Sequence, residues 1–457
     1  MGSFWRGSGV SPDISKMADE RSLLQLLAEV LPEEQWRKLE GQGRRSQIYT
    51  LRVVVGLMLL QRLNDRGSQQ AVVERMTAGE WDGWLPDCKR VRAGKISLNT
   101  GAYARACGRT SLEKMEKVCD QLLEELGKRI EPDPELKIPL LLLDGSSLQL
   151  EHAPELLEDF PPGSNQHGEG HWGIMKWVAL HDLQTGAALR PAWGAMYGAE
   201  AVSEQQLAQE VLVRAPAGSV VVGDGNFGVF RFAYTVVQSQ HQALFRLTKE
   251  RAHSLGAAAL LPTGERRIVW RPSSYERAKY PELPPDAQIE GRLIAVTRPG
   301  FREPLYLFTT LPEPLEKMVA WYAQRWNMEL DLRTLKGTMR LQHLRGKSTE
   351  AVEKELLIAV VAYGLVRALM ALAARRVGLH PRRLSFTRAC NLVNLMIGKL
   401  YVAQGEERER AYDRILEFIG QSKLPNRSKP RTYPREVWGS GKYFPRRGSQ
   451  SKNTQSK

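Results

Sequence analysis

The feature that most limits the fold is one apolar stretch in the C-terminal half, Leu356–Ala374, with the sequence LLIAVVAYGLVRALMALAA. A helix that is apolar on every side must be enclosed, either by lipid or by the core of a large protein. Arg367 lies inside the stretch, and a charge near the centre of a bilayer costs about 2.5–3.5 kcal/mol. We therefore predict a buried core helix rather than a membrane span, and we expect no membrane partner.

The chain is basic, with 65 Lys and Arg residues against 51 Asp and Glu residues and a net charge of +14. This balance favours a polyanionic partner, most simply nucleic acid, although a generally basic soluble protein is the alternative. Residues 421–457 hold ten Lys and Arg residues and one acid, among Pro, Ser and Gly. Such a tail is expected to be extended when free, and it can either gain order on a phosphate backbone or serve for solubility.

Cysteine usage and the N-terminus indicate a cytoplasmic protein. The four cysteines include no Cys-x-x-Cys pair and are too few for a disulfide framework in 457 residues. The N-terminus lacks a basic-then-apolar signal pattern. A reducing compartment is therefore expected.

The pattern of helices and strands predicts three regions, since 457 residues is long for one domain. Residues 1–130 are expected to be helical, because apolar residues recur there at three- and four-residue spacing. Residues 136–376 alternate strands with helices and predict an α/β fold with a mixed sheet and a β-rich insertion at about 250–312. Residues 377–457 are expected to be helical and to end in the basic tail.

The N-terminal region contains a basic segment, Gly94–Arg109, in which Arg105 and Arg109 lie near polar turn residues. This composition suits a small helical DNA-binding module. An ordinary helical bundle with a polar loop shows the same pattern, so the residues alone leave both interpretations open.

Two aspartates follow short apolar segments that predict buried strands. Asp144 follows Ile138–Leu143, and Asp224 follows Val220–Val222 after one glycine. Either aspartate alone is a common turn residue. If the strands are neighbours, however, the carboxylates meet at one edge of the sheet, where ligands usually bind. Close carboxylates repel unless a cation lies between them, and Mg²⁺ prefers such hard oxygen ligands.

A third carboxylate comes from the helix predicted over Leu315–Lys336. At about 100° per residue, one face roughly 60° wide carries Tyr322, Arg325, Glu329 and Lys336. Asp331 falls on the opposite face, so Glu329 is the acid that this face offers. A solvated surface with an Arg325–Glu329 pair is the alternative interpretation.

Taken together, Asp144, Asp224 and Glu329 suggest phosphoryl transfer with two metal ions. In that chemistry one ion activates a water or a 3′-hydroxyl, and the other stabilises the leaving oxygen. Cations on the same helix would hold phosphates beside the ions, namely Arg325 and Lys336. Aromatic side chains there could stack on a base or wedge against it, namely Tyr322 and Trp326.

The segment Tyr322-x2-Arg325-x3-Glu329-x6-Lys336 resembles, residue for residue, the Y-R-E-K signature of bacterial insertion-sequence DDE transposases of the insertion-sequence-four family. The likeness covers about 138–380 most strongly and includes the surroundings of both aspartates, the β-rich insertion and the segment LRGKS at 344–348. The chain departs from the family after the second aspartate. There it has Gly-Asn-Phe at 225–227, where the family often has Arg, Gly and an aromatic residue.

The resemblance implies an RNase H-like catalytic core in which Asp144, Asp224 and Glu329 bind two Mg²⁺ ions, with Mn²⁺ able to substitute. It implies cut-and-paste transposition by a homodimer that acts in the nucleoid on the terminal inverted repeats of its element and on target DNA. Strand cleavage by hydrolysis would precede attack of the 3′-hydroxyl on the target. A hairpin at the element end is a further hypothesis.

The resemblance also implies DNA contacts. Trp326 is a candidate for a strand-end pocket, and Trp270 within the insertion is a second candidate. Arg345 and Lys347 follow the glutamate helix and are candidates for contact with phosphate.

Two other functions fit the same residues. A metal-dependent nuclease on this core would cut DNA without joining it, and a strand-transfer assay with pre-cleaved ends separates the two activities. A domesticated DNA-binding protein without catalysis is the other alternative, and the presence of all three acids argues against it.

Overall fold

The computed structural model describes residues 33–40, 47–64, 67–80, 85–130, 138–166, 168–298, 303–403 and 405–426. Before residue 131 the regular elements of this described part are helical, as predicted. They are α1 (Glu33–Glu40), α2 (Leu51–Leu63), α3 (Gln69–Arg75) followed by a π-helical turn (Met76–Glu80), α4 (Lys89–Arg92), α5 (Gly101–Arg109) and α6 (Leu112–Arg129).

Strands and helices alternate in the next part of the chain. They are β1 (Leu140–Gln149), α7 (Pro154–Asp159), β2 (Ser164–Asn165), β3 (Gly168–Glu169), β4 (Ile174–Asp182), β5 (Ala192–Ala195), α8 (Glu204–Leu212), β6 (Val220–Gly223), α9 (Phe230–Gln238) and β7 (Gln242–Arg246). The insertion adds α10 (Lys249–Ser254), a 3₁₀ turn (Ala257–Leu260), β8 (Thr263–Trp270), α11 (Ser274–Lys279), β9 (Ile289–Val296) and β10 (Leu305–Thr309).

The described remainder of the chain is helical. Its elements are α12 (Leu315–Ala323), α13 (Trp326–Gly337), a 3₁₀ turn (Leu341–His343), α14 (Thr349–Arg376), a second 3₁₀ turn (Pro381–Arg383), α15 (Phe386–Val402) and α16 (Gly405–Gln421).

One mixed sheet of eight strands organises the described core, in the order β5-β4-β1-β6-β7-β10-β9-β8. β1 pairs antiparallel with β4 and parallel with β6, and β6 pairs parallel with β7. The predicted mixed α/β, RNase H-like core is therefore confirmed. The strands of the β-rich insertion continue the same sheet, because β10 pairs antiparallel with β7.

The apolar stretch lies within α14, which is buried over most of its length. One 18-residue window of this helix is apolar enough to cross a membrane, but 94% of that window is buried inside the protein. Helices from both ends of the chain pack against α14, namely α2, α6, α15 and α16. α14 is thus a core helix around which the N-terminal and C-terminal helices assemble.

The basic tail beyond residue 426 lies outside the described residues, so its binding to DNA stays a prediction. The division into three regions also stays a prediction. The described residues up to Lys423 form one compact unit, in which helices from all three predicted regions contribute to the same core.

Candidate active site

Asp144 lies where β1 loses one of its two neighbours. Parallel pairing with β6 ends at Leu142, whereas antiparallel pairing with β4 continues through Asp144, opposite Ala179. The sheet therefore opens beside Asp144, whose side chain is 20% exposed. β1 continues to Gln149 instead of ending at Leu143 as predicted, because it stays paired with β4 over this second half. The sequence there is mostly polar and gives little signal for a buried strand.

Asp224 lies in the turn that connects β6 to α9. The N–H groups of Phe227 and Gly228 donate to the Asp224 carbonyl at 3.2 and 3.1 Å. The Asn226 N–H donates to Asp224 Oδ1 at 2.9 Å, which holds the carboxylate over its own turn. The Gly-Asn-Phe sequence that departs from the family pattern therefore forms a closed, hydrogen-bonded turn.

This turn packs directly against the main chain of β7, and Gly228 permits the contact. A Cβ at Gly228 would lie 2.0 Å from the Arg246 carbonyl oxygen. We expect Gly228→Ala to lower the free energy of unfolding by about 1–3 kcal/mol, because the turn must move away from the sheet. Gly225→Ala in the same turn is the matched control, since its Cβ would lie 3.8 Å from the nearest atom. Urea unfolding of both variants measures the difference, and equal stability would contradict the prediction.

The helix predicted over Leu315–Lys336 is divided into α12 and α13. The Arg325 N–H donates to the Tyr322 carbonyl, and the Met328 N–H donates to the Arg325 carbonyl. These bonds span three residues instead of four and tighten the chain locally. Arg325 and Glu329 nevertheless remain one turn apart at the start of α13.

Arg325 connects two of the three acids. Its Nη1 lies 3.5 Å from Asp144 Oδ2, and its Nη2 lies 3.2 Å from Glu329 Oε1. Tyr322 is 8% exposed and forms a side-chain hydrogen bond with Arg325. The charge of Asp224 acts on both Asp144 and Arg325. The structure thus brings all three predicted acids to one edge of the sheet, with Arg325 among them.

The electrostatics of this edge oppose a negative charge on Asp144. Burial raises the pKa of Asp144 to about 6, although the Gly145 N–H donates to Oδ1 at 2.8 Å and partly offsets the rise. The charges of Asp224 and Glu204 raise this pKa further, and Arg325 lowers it. An acid in such surroundings is stabilised in its ionised form by a nearby cation.

The donor set suits a hard dication, because carboxylate oxygens are the preferred ligands of Mg²⁺ and Mn²⁺. Within the described ranges, no three His, Cys, Asp or Glu side chains converge closely enough to enclose an ion. The Arg325 guanidinium lies between Asp144 and Glu329. Glu329 would have to leave this guanidinium in order to share an ion with the aspartates.

A fourth acid lies at the same edge and is not identified by the sequence pattern. Glu204 is the first residue of α8. Its carboxylate accepts a hydrogen bond from Asn226 Nδ2 and rests against Gly145, where a Cβ would lie 2.9 Å from Oε1. An acid in the first turn of a helix is ordinary, so only the contact between α8 and β1 reveals this position.

Asp331 lies on the opposite face of α13, as the helical geometry predicts, and its side chain is fully buried. It forms ion pairs with Arg367 of α14 and with Arg382, whose Nη2 lies 2.9 Å from Oδ2. His181 of β4 lies beside them, with Nδ1 3.6 Å from the same oxygen. Arg367, the arginine inside the apolar stretch, therefore contacts the buried face of α13, the helix that carries Glu329.

The aromatic candidates differ in accessibility. Trp326 is 58% exposed beside the acids and is open to a base. Trp270 is 3% exposed, with its ring 4.8 Å from that of Phe308, so the ring is enclosed in the core of this structure. Its role in a strand-end pocket stays a prediction. β8 places this residue on its inward face. Tyr322 contacts Arg325 and is too buried to stack on a base.

Two of the predicted phosphate-binding cations are partly buried: Arg325, whose side chain is 15% exposed, and Lys336, whose pKa is lowered by burial. The exposed ones are Arg105, Arg109, Arg345 and Lys347. A cleft of about 780 Å³ is lined by residues of α2, of α5 and of the start of α14. Its basic lining residues are Arg62, Arg340, Arg345 and Lys354.

Comparison with known proteins identifies the family of this chain. Residues 135–365 match the family described as Transposase DDE domain. The chain is also similar to the Escherichia coli (strain K12) protein named Transposase InsG for insertion sequence element IS4, with 28% identity over 317 residues. That alignment covers 66% of this chain and 67% of the relative. The family match spans β1, β6 and α13, which carry or adjoin the three acids. The chain belongs to the DDE transposases of the insertion-sequence-four family.

Proposed function

We propose that this chain catalyses cut-and-paste DNA transposition, in which it binds the inverted repeats of its element, cleaves them and joins the 3′-hydroxyls to target DNA. One observation carries the proposal: Arg325 connects Asp144 to Glu329 at the sheet edge where the Asp224 turn also lies. Acids from three distant parts of the chain meet there with a cation, which suits a reaction on a phosphodiester.

The residues at the site would have different roles. Asp144, Asp224 and Glu329 would hold two Mg²⁺ ions, with Mn²⁺ as a substitute. When bound, such ions supply the positive charge that activates the attacking oxygen and stabilises the leaving oxygen. Arg325 would donate to a phosphate with its planar guanidinium, oriented by the buried Tyr322. Lys336, on the same face of α13, would hold a neighbouring phosphate.

The DNA would extend from the acids across exposed groups. Trp326 is open for stacking on a base at the strand end. Exposed cations beyond it would neutralise backbone phosphates, namely Arg345, Lys347, Arg105 and Arg109. Cut-and-paste transfer requires both element ends to be held together, and we propose that a homodimer does so.

The test uses the purified chain with Mg²⁺ and a duplex that carries the element end. Inverted repeats in the DNA that flanks the coding region would define that end. Transposase activity predicts cleavage of this duplex and joining of pre-cleaved 3′-hydroxyl ends to a target plasmid. Cleavage without joining would instead identify a metal-dependent nuclease, and binding without cleavage a domesticated DNA-binding protein.

The same assay tests the hairpin hypothesis. A hairpin end runs at twice its strand length on a denaturing gel, because the two strands are covalently joined. A time course that contains only open ends with free 5′-phosphates would show that excision proceeds without hairpins.

Metal binding is expected to depend on pH through Asp144. A carboxylate with a pKa of about 6 must lose its proton before it binds an ion. Mn²⁺ affinity should therefore fall about tenfold between pH 7 and pH 5, and binding at pH 5 should release close to one proton. Calorimetric titration in buffers of different ionisation enthalpy measures both quantities. An affinity that is constant over this range would contradict the assignment of Asp144 as a ligand.

A further inference from the structure

The N-terminal turn of α8 contacts the segments of both aspartates. The Glu204 carboxylate rests against the α-carbon of Gly145, the residue that follows Asp144. On its other side, Glu204 Oε2 accepts a hydrogen bond from Asn226 Nδ2, two residues after Asp224. Glu204 thus lies between the two segments that carry the aspartates.

Asn226 is held at three points. Its N–H donates to Asp224 Oδ1 at 2.9 Å, and its side-chain amide donates to Glu204. Its carbonyl accepts from Gln205 Nε2 at 3.0 Å. Two of the three partners belong to α8, and the third is the Asp224 carboxylate. A displacement of Asn226 would therefore change the position of that carboxylate.

Capping of the α8 helix does not explain the orientation of Glu204. Ser203 and Gln206 form a complete capping box, in which each side chain accepts from the other residue's N–H. An acid in the first turn also gains about 0.3–1 kcal/mol from the helix dipole, but that interaction requires no particular partner. The Glu204 carboxylate instead turns toward Asn226 and Gly145.

We propose that Glu204 is a positioning residue: it fixes Asn226, and through Asn226 the Asp224 carboxylate, relative to Asp144. The inference rests on the proposed function and deepens it by giving a role to a fourth acid. It also gives a role to Asn226, at which the chain departs from its family. Residues that orient metal ligands through hydrogen bonds typically change metal affinity or activity by about 10–100-fold when they are removed.

The test compares Glu204→Ala, Glu204→Gln, Asn226→Ala and the double alanine variant in two assays, cleavage of the element end with Mg²⁺ and calorimetric binding of Mn²⁺. Each alanine variant should cleave about 10–100-fold more slowly and bind Mn²⁺ about tenfold more weakly. The double variant should cleave no more slowly, and bind Mn²⁺ no more weakly, than the more impaired single variant. Both changes remove the same hydrogen bond, so their effects should not add. Glu204→Gln keeps an acceptor oxygen and should stay within about threefold of wild type.

Glu210→Ala is the matched control, since Glu210 is exposed on the same helix and should have no effect on either assay. Three results would each overturn the inference and leave the proposed function standing. They are a cleavage rate within twofold of wild type in Glu204→Ala, additive losses of rate in the double variant, and equal losses of rate in Glu204→Gln and Glu204→Ala. A wild-type chain that neither cleaves DNA nor binds Mn²⁺ would overturn the proposed function and this inference with it.

Discussion

Asp144→Asn is expected to lower the rate of DNA cleavage by at least about a thousandfold. Asparagine keeps the size of the side chain but lacks the charge that would bind a dication at the proposed site. Metal catalysis supplies several kcal/mol of transition-state stabilisation, and each loss of about 1.36 kcal/mol is a tenfold loss in rate. Glu329→Gln should behave in the same way, because it removes the acid that α13 brings to Asp144. Single-turnover cleavage of the element end with Mg²⁺ measures both losses.

Asp144→Asn is not expected to be less stable than wild type at pH 8. The pKa of Asp144 is raised to about 6, so the folded chain binds this proton more tightly than the unfolded chain does. The stability contributed by the protonated group is present at low pH and is lost as pH rises through about 6. Asparagine stays neutral at every pH. The Tm of Asp144→Asn at pH 8 should therefore equal or exceed that of wild type.

A surface acid serves as the control for the predicted loss of DNA cleavage in Asp144→Asn. Glu290 is exposed on β9 of the same sheet, so Glu290→Gln removes one negative charge far from the opening beside Asp144. Its cleavage rate should stay within twofold of wild type. Retained activity in Asp144→Asn, or equal losses in both variants, would remove Asp144 from the catalytic group.

Asp331→Asn is expected to have the largest effect on stability. Burial alone would raise the pKa of Asp331, but Arg367 and Arg382 outweigh burial and hold this pKa below its usual range. Removing the charge leaves two buried guanidinium groups without their counter-ion. Breaking a buried ion pair in this way costs about 3–5 kcal/mol. The free energy of unfolding from urea titration measures the loss.

An exposed ion pair provides the comparison. Asp413 of α16 lies 3.0 Å from Arg376, and its side chain is 52% exposed. Asp413→Asn should therefore change stability by at most about 1 kcal/mol. The double variant Asp331→Asn/Arg367→Met should be less destabilised than the sum of its two single variants, because the second change removes one of the stranded charges. Additive losses, or equal effects at Asp331 and Asp413, would contradict the buried network.

The three acids could be found from the sequence because each follows a local pattern. Asp144 directly follows a strongly apolar segment, and Asp224 follows another after one glycine. Such segments predict buried strands. Glu329 shares a helical face with Arg325, while Asp331, two residues away, falls on the other face. Spacing alone therefore separated the acid at the site from the acid in the core.

Other features of the site have no local signal. The second half of β1 is half-buried and reads as a loop, although it pairs with β4. The chain tightens at Arg325 through three-residue hydrogen bonds within a sequence that suits one continuous helix. Trp270 is a candidate for a strand-end pocket only by resemblance, but β10 joins the insertion to the central sheet and the ring lies in the core.

By itself, the sequence determined which segments become strands or helices and which face of each is apolar, since these depend on neighbours a few residues away. It thereby determined the three acids and the central helix α14. The tertiary structure alone decided what meets across the chain. Strand order places Asp144 beside the Asp224 turn, α14 brings Arg367 to Asp331, and the packing of α8 places Glu204 against Gly145. These contacts join residues that are tens of positions apart, and no periodicity in the sequence records such distances.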